Sequence, residues 1–250
     1  RTKVERTGDG WVVNGQKIWT SGASKAQRCL LLARTGKQED RHKGLVLFAV
    51  PMDLPGITVR ELRQMDGIRS FCEVFFNDVV VDEADMLGAP DEGWAAATRV
   101  LSIERATNRM YRAWRFENEI DHLVGACRTD RRAFEILKSY RREIAEARIE
   151  AELLKGHVET LVDSMLAGQQ IGPRGSFPKL YWSEAHQRFA QVAYEVVSRF
   201  PADSGQALLD VKERMEGIYL SSRAETIYAG TTEIQLDIIA KRILNVKTVA

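Results

Sequence analysis

Two places in this chain carry residue types and spacings that could do chemistry. The first is Glu104. If the run around it is helical, Ala97, Leu101, Glu104 and Asn108 share one face, so a single carboxylate stands on an otherwise uncharged stripe. A carboxylate shielded from water has a raised pKa and can take a proton near neutral pH. A solvated helix carboxylate is the plainer reading, and most glutamates in the chain are of that kind. The second is Trp19-Thr20-Ser21, where an aromatic plane lies beside two short hydroxyls. That combination suits a flat ring rimmed with heteroatoms; the alternative is a tryptophan in a β core. Other reactive types are arranged for packing or solvent. His42, His122, His157 and His186 are scattered without HExxH or paired-ligand spacing, so no metal site is expected. Cys72 lies in an apolar strand and reads as packing. Gly8-Asp9-Gly10 reads as a turn, not a phosphate loop, and the pairs Arg131-Arg132 and Arg141-Arg142 stand among acids as a solvated face.

The elements that must position these residues change character near Pro90. Residues 1–90 contain nine of the 18 glycines and three of the six prolines, and this part reads as short strands. Trp11-Val12-Val13, Asn14-Gly15 and Gln16-Lys17-Ile18-Trp19 predict a hairpin with a type I′ turn. Residues 29–33, 44–50 and 73–81 are further strand candidates, and the polar opening at 1–7 is strand-like. A compact antiparallel barrel or sandwich is expected. From 91 onward the chain is rich in Ala, Arg and Glu, with helices expected at about 92–127, 130–167, 178–200 and 206–243. The stretch from Gly168 to Pro178 reads as a loop. Four such helices imply an up-down bundle. The predicted fold is therefore α+β, with a β domain at 1–90 and a four-helix bundle domain at 91–250.

Composition bounds the function classes. The chain has 250 residues, 44% hydrophobic and 28% charged, which supports a substantial core and excludes a disordered chain. Lys and Arg total 36 against 35 acids, a net charge of +1, which argues against nucleic-acid binding through a basic excess. No apolar run approaches the ~18 residues of a membrane span. Three widely spaced cysteines without CxxC argue against a disulfide framework and fit a reducing compartment. The expected localisation is cytoplasmic, with no targeting segment visible; the chain begins with Arg1 and reads as the remainder of a longer one.

Three stretches go further. Gly10-Trp-Val-Val-Asn-Gly-Gln-Lys-Ile-Trp-Thr-Ser-Gly-Ala23 resembles the β-domain signature of acyl-CoA dehydrogenases. Phe71-Cys-Glu-Val-Phe-Phe-Asn-Asp-Val-Val-Val81 resembles the strand that closes that domain. Ile227-Tyr-Ala-Gly-Thr-Thr-Glu-Ile-Gln235 resembles the family's C-terminal Tyr-x-Gly-Thr-x-x-Ile-Gln motif. The three occur in family order across nearly the whole chain, which resembles the family's central β domain and C-terminal helical domain without the N-terminal helical domain or the flavin loop before the first signature.

The resemblance implies α,β-dehydrogenation of an acyl-CoA thioester: a carboxylate removes the α-proton while the β-hydride passes to flavin N5 of FAD. In many relatives the base directly precedes the Gly of the C-terminal motif. Here that position is Ala229. Leu101-Ser-Ile-Glu104-Arg105-Ala106 matches the branch that carries its Glu on the first helix of the C-terminal domain, so the resemblance implies Glu104 as base. It also implies Arg105 and Gly230 at the substrate, and the Ala229 backbone N–H donating to the thioester carbonyl. Trp19 matches the residue that packs on the flavin ring, Thr20 and Ser21 the hydroxyls reaching its N5 and O4 edge, and Thr231 and Glu233 further FAD contacts. Two family motifs depart. Arg115-Phe-Glu-Asn-Glu stands where relatives carry Arg-x-x-Phe-Gly, and Phe200-Pro-Ala-Asp-Ser-Gly205 stands where they carry a glycine run near the adenine half of FAD. The implied partners are an acyl-CoA, an electron-transfer flavoprotein or similar acceptor, and further subunits in a homo- or hetero-oligomer, dimer or tetramer, in lipid metabolism such as fatty acid β-oxidation. The rival readings are a non-catalytic partner subunit of a mixed oligomer, an acyl-CoA oxidase, and a DNA-associated relative, which the near-neutral charge opposes.

Overall fold

The computed structural model describes residues 2–8, 10–107 and 110–246, with the backbone alone over 102–107. The chain divides into two compact units, Arg1–Leu101 and Ser102–Ala250.

The first unit is a six-stranded sheet: β1 (Lys3–Thr7), β2 (Gly10–Ser21), β3 (Arg28–Arg34), β4 (Leu45–Pro51), β5 (Ile57–Leu62) and β6 (Phe71–Val81). The strand order is β4-β3-β1-β2-β6-β5. Neighbours are antiparallel except β1 and β3, which pair in parallel. The sheet is mixed and open, with β4 and β5 at its ends. The expected α+β fold, a β unit followed by helices, is present, and the barrel or sandwich takes the form of one open sheet; β5 was not expected, although Pro55-Gly56 and the alternation after it mark a strand start.

The predicted hairpin at Asn14-Gly15 does not form. β2 runs through both residues as one strand, and it pairs with β1 instead, from Thr7 opposite Gly10 to Lys3 opposite Asn14. β2 is paired with β6 from Trp11 to Ser21 and with β1 from Gly10 to Asn14. A turn at Asn14-Gly15 would cut the β6 ladder in two. Asn14 serves a different local need. Its Nδ2 donates to Asp78 Oδ1 at 2.8 Å, and its Oδ1 accepts from the Asp78 N–H at 2.9 Å. Asp78 has φ +49, and the β2–β6 register slips between Val13 and Gly15. This bulge shifts the phase of β6: Cys72, Val74 and Phe76 are buried by alternation, and burial resumes at Val79 and Val81. The core of the unit gathers these with Val4, Trp11, Val13, Leu31, Val46 and Phe48. Cys72 is fully buried there, as its sequence position implied.

The helices are α1 (Gly93–Thr107), α2 (Arg112–Arg128), α3 (Arg131–Lys138), α4 (Arg141–Leu166), α5 (Ser176–Val197), α6 (Gln206–Ser222) and α7 (Thr232–Arg242). Seven described helices replace the four expected runs: α1 and α2 stand in the first, α3 and α4 in the second, and α6 and α7 in the last. Asp130 accepts from the N–H groups of Arg132 and Ala133 at 2.7 and 3.1 Å, which starts α3 directly after α2. Thr231 caps α7 in the same manner, accepting from the Ile234 N–H at 3.3 Å. The core of the second unit comes from one stripe per helix: Ala113, Phe116, Ile120 and Leu123 on α2; Ala147, Ala151, Leu154 and Val158 on α4; Ala185, Phe189, Ala193 and Val196 on α5; Met215 and Ile218 on α6. The arginine pairs flagged in the sequence meet acids: Arg132 pairs with Asp203, and Arg142 with Glu146.

Candidate active site

In the sheet unit, the tryptophan motif owes its geometry to a second irregularity of β2. Lys17 pairs with Val74 and Thr20 with Cys72, so Ile18 and Trp19 together stand opposite Glu73 alone, one residue extra on their strand. Such a bulge re-aims side chains. Trp19 sits at φ +60, where a bulky residue is uncommon. Its ring is 61% exposed and rests edge-on against Phe71, 6.1 Å between centroids. The core-residue alternative for Trp19 is therefore excluded. Thr20 follows half-buried and Ser21 exposed, before Gly22 turns the chain with its N–H donated to Ser70 O at 2.9 Å.

In the helical unit, Ala229, Gly230 and Thr231 lie between α6 and α7, and Glu233 follows in the first turn of α7. Ala229 and Gly230 both lie at positive φ, +59 and +91. Two consecutive left-handed residues make a sharp turn, and the one with a Cβ is strained. A third residue holds the turn. Gln235 is fully buried, and its Nε2 donates to Ala229 O at 3.0 Å and to Gly230 O at 3.3 Å. A Cβ at position 230 would collide with that same nitrogen, which is why glycine is required there. With both carbonyls drawn inward, the Ala229 N–H has no acceptor among the described residues. Glu233 is exposed; the Thr231 hydroxyl and its own backbone N–H hold its carboxyl below the usual range, with the nearby Lys179 charge adding to this.

A charged cluster that sequence reasoning missed lies beneath this segment. Glu119 of α2, His186 of α5 and Glu225, just past α6, are 1%, 1% and 4% exposed. His186 Nε2 lies 2.6 Å from Glu119 Oε2 and Nδ1 2.7 Å from Glu225 Oε2. Arg115 Nε donates to the other Glu119 oxygen at 2.7 Å. Burial alone would lower the imidazole pKa, but hydrogen bonds to the two carboxylates and their charges outweigh it and push it up to about 9. Burial likewise opposes ionisation of Glu119, yet its bonds and charges with His186 and Arg115 keep its pKa below normal. Partners 39 and 67 residues from His186 leave no spacing signal; Gln235, by contrast, closes the quoted C-terminal motif.

Glu104 and Arg105 fall within α1, but their side chains lie outside the described residues, as does Asn108. The structure brings together Trp19, Thr20 and Ser21 in one unit and the 229–233 residues in the other. Among the described residues no group of three His, Cys, Asp or Glu could hold a metal ion, and no helix is long and apolar enough to cross a membrane.

Comparison with known proteins covers nearly the whole chain. The family model described as acyl-CoA dehydrogenase, middle domain, matches residues 1–79, and that described as acyl-CoA dehydrogenase, C-terminal domain, matches residues 91–244. The chain is 34% identical over 244 residues to acyl-CoA dehydrogenase IpdE1 of Mycobacterium tuberculosis, spanning 97% of this chain but only 61% of that protein. Among solved structures, the Tcur3481-Tcur3483 steroid ACAD superposes with a TM-score of 0.86 at 22% identity, over 98% of this chain and 63% of that one. The ChsE4-ChsE5 complex from Mycobacterium tuberculosis gives 0.77 at 25% identity, over 100% and 65%.

Proposed function

The chain belongs to the acyl-CoA dehydrogenase family, and from that premise we propose that it serves FAD-dependent α,β-dehydrogenation of an acyl-CoA thioester with Glu104 as the base. The observation that carries this reading is the Ala229–Gly230 turn. It is built and clamped, and it leaves an amide N–H without an acceptor among the described residues, yet it bears no carboxylate. The turn can polarise a carbonyl but cannot take a proton. The proton acceptor must come from another element, and Glu104 on α1 is the carboxylate the sequence supplies.

The division of labour follows. The Ala229 N–H donates to the thioester carbonyl, with Gly230 and Arg105 at the same end of the substrate. That donor stabilises the enolate as the α-proton leaves, and the proton goes to the Glu104 carboxylate. A fixed amide dipole needs no reorganisation, which makes it effective in a site shielded from water. The residues present fit a flavin: Trp19 offers an exposed ring face braced by Phe71, Thr20 and Ser21 offer hydroxyls beside it, and Thr231 and Glu233 form a polar pair at the start of α7. FAD, when bound, supplies the acceptor for the β-hydride. The electron acceptor after it is an electron-transfer flavoprotein or, on the oxidase reading, oxygen.

Glu104→Gln tests the base. It should retain flavin and acyl-CoA binding while turnover falls about 10²–10⁴-fold, the usual worth of a positioned proton acceptor. Unchanged turnover in a folded, flavin-loaded variant would remove Glu104 from the mechanism. A second reading makes this chain one of two unlike subunits in a mixed oligomer. The two-chain ChsE4-ChsE5 structure, similar over the whole chain, favours it. Copurification with a second, different polypeptide separates that reading from a homo-oligomer.

A further inference from the structure

The segment that carries the Ala229 turn is held by three neighbouring side chains of α5. Glu184 Oε1 accepts from Thr232 Oγ1 at 2.8 Å. Gln187 Nε2 donates to Ser222 O at 2.8 Å and lies 3.3 Å from Thr226 Oγ1, while Arg223 Nη2 donates back to Gln187 O at 3.1 Å. The third is His186, and it differs from the other two. It is fully buried, and it ties the segment not only to α5 but, through Glu119, to α2.

We propose that His186 is a positioning residue: as an imidazolium bridging Glu119 and Glu225, it locks the 223–231 segment in the conformation that presents the Ala229 amide. The proposal rests on the reading of that amide as the donor to the thioester carbonyl.

The geometry requires the cation. Each ring nitrogen faces a carboxylate oxygen within hydrogen-bond distance, and only the doubly protonated ring has a donor for both. A neutral ring would turn a lone pair on one of two buried anions, a contact that burial makes costly. Water has little access as a substitute, because Trp182 stacks on the ring at 5.4 Å and Phe116 meets it edge-on at 5.4 Å, with Phe189 beyond. Among the described residues, the titratable and charged groups around it are Glu119 and, behind that, Arg115 from α2, Glu225 from the segment itself, and Arg112 of α2 beyond Trp182, 3.8 Å from that ring's centroid. Packing alone does not call for such a cluster, since apolar residues of the same volume serve a core as well or better. What the cluster adds is direction: it fixes Glu225 at one point, four residues before Ala229, on a stretch with no regular helix of its own.

The test is amide hydrogen exchange on the full chain and on His186→Gln and Glu225→Gln, each corrected for intrinsic pH dependence. In His186→Gln the protection of the segment's hydrogen-bonded amides, at 225, 227 and 228, should fall about tenfold or more, the loss of one charged hydrogen bond, while core amides of α2, α4 and α5 change little. Wild type should lose the same local protection as the pH is raised past the point where the ring deprotonates. Glu225→Gln keeps the shape of the side chain and should show the local loss in smaller measure, and it carries the test should His186→Gln not fold. Where the chain turns over acyl-CoA, His186→Gln should lower kcat/KM without altering the visible spectrum of bound flavin. Unchanged protection at these amides in the folded variants overturns the proposal, as does a loss spread evenly over all helices, which marks a structural role only. Exchange needs no turnover, so local loss of protection in a chain without acyl-CoA activity supports the clamp and counts against the catalytic reading alone.

Discussion

At the scale of single residues, the second unit is built around one charged histidine and one glutamine, and both act on the same nine-residue segment. The His186 pKa lies near 9 in the fold against an ordinary 6.5. The imidazolium therefore contributes stability that is fully present below pH 6.5 and is lost as the pH rises through 9. Urea unfolding of wild type should show falling stability between pH 7 and 10, with a much flatter profile in His186→Gln. Removing one partner from a buried charge cluster costs about 3–5 kcal/mol at neutral pH, so the variant should also start from a lower plateau. The Glu119 pKa is shifted the other way, so its contribution is present above its ordinary value of 4.5 and fades as the pH falls below it. Gly230→Ala places a Cβ against Gln235 Nε2 in a left-handed backbone. It should cost about 1–3 kcal/mol by thermal unfolding and weaken acyl-CoA binding more than it weakens the fold.

At the scale of elements, the two irregularities of β2 have opposite uses. The one at Asn14 keeps a long strand paired while β6 changes phase, and the one at Ile18-Trp19 turns an aromatic ring outward. Asn14→Ala loses two hydrogen bonds to Asp78 and should destabilise the sheet unit by about 1–2 kcal/mol, read by denaturant titration, without moving Trp19 fluorescence in the native state. α1 begins hard against β4: a Cβ on Gly93 would lie 2.5 Å from backbone atoms of Val46. Backbone cannot swing aside as a side chain can, so Gly93→Ala should displace the start of α1 and lower the melting temperature. Under the proposed function it should also reduce turnover, because Glu104 is carried on the same helix.

At the scale of the whole molecule, the chain spans about three fifths of the IpdE1 protein it resembles, and its helical unit leaves large apolar side chains in solvent. Ile149 and Leu153, one turn apart on α4, are 59% and 61% exposed. With the proposed family assembly, light scattering should give a multiple of the chain mass, and Leu153→Glu should shift it downward while the fold is kept. A purified sample with a flavin band that bleaches on anaerobic addition of a saturated acyl-CoA would establish cofactor and reaction class together. A colourless sample that acquires the band only with a second polypeptide would establish the mixed-subunit reading.

Much of this was legible in the residues alone. Runs bounded by breakers marked the places of five of the six strands, with β2 read as a hairpin, and the change in glycine and proline density marked the passage from sheet to helices; the motif at 227–235 showed alanine in place of an acid, although the expected helix at 206–243 ran through the turn it forms. Those features are local: strand phase, breaker residues and short motifs act through neighbours in the chain. What the tertiary structure decided was non-local. Asn14-Gly15 has the residues of a tight turn, but the β6 ladder that runs past both residues outweighs that preference and keeps them in one strand, with a bulge opposite. Trp19 points outward because β6 pairs around it. His186 reads as an isolated histidine in the sequence, yet it becomes a buried cation because helix packing brings it carboxylates from far along the chain, and no pattern of spacing encodes a contact that only packing creates.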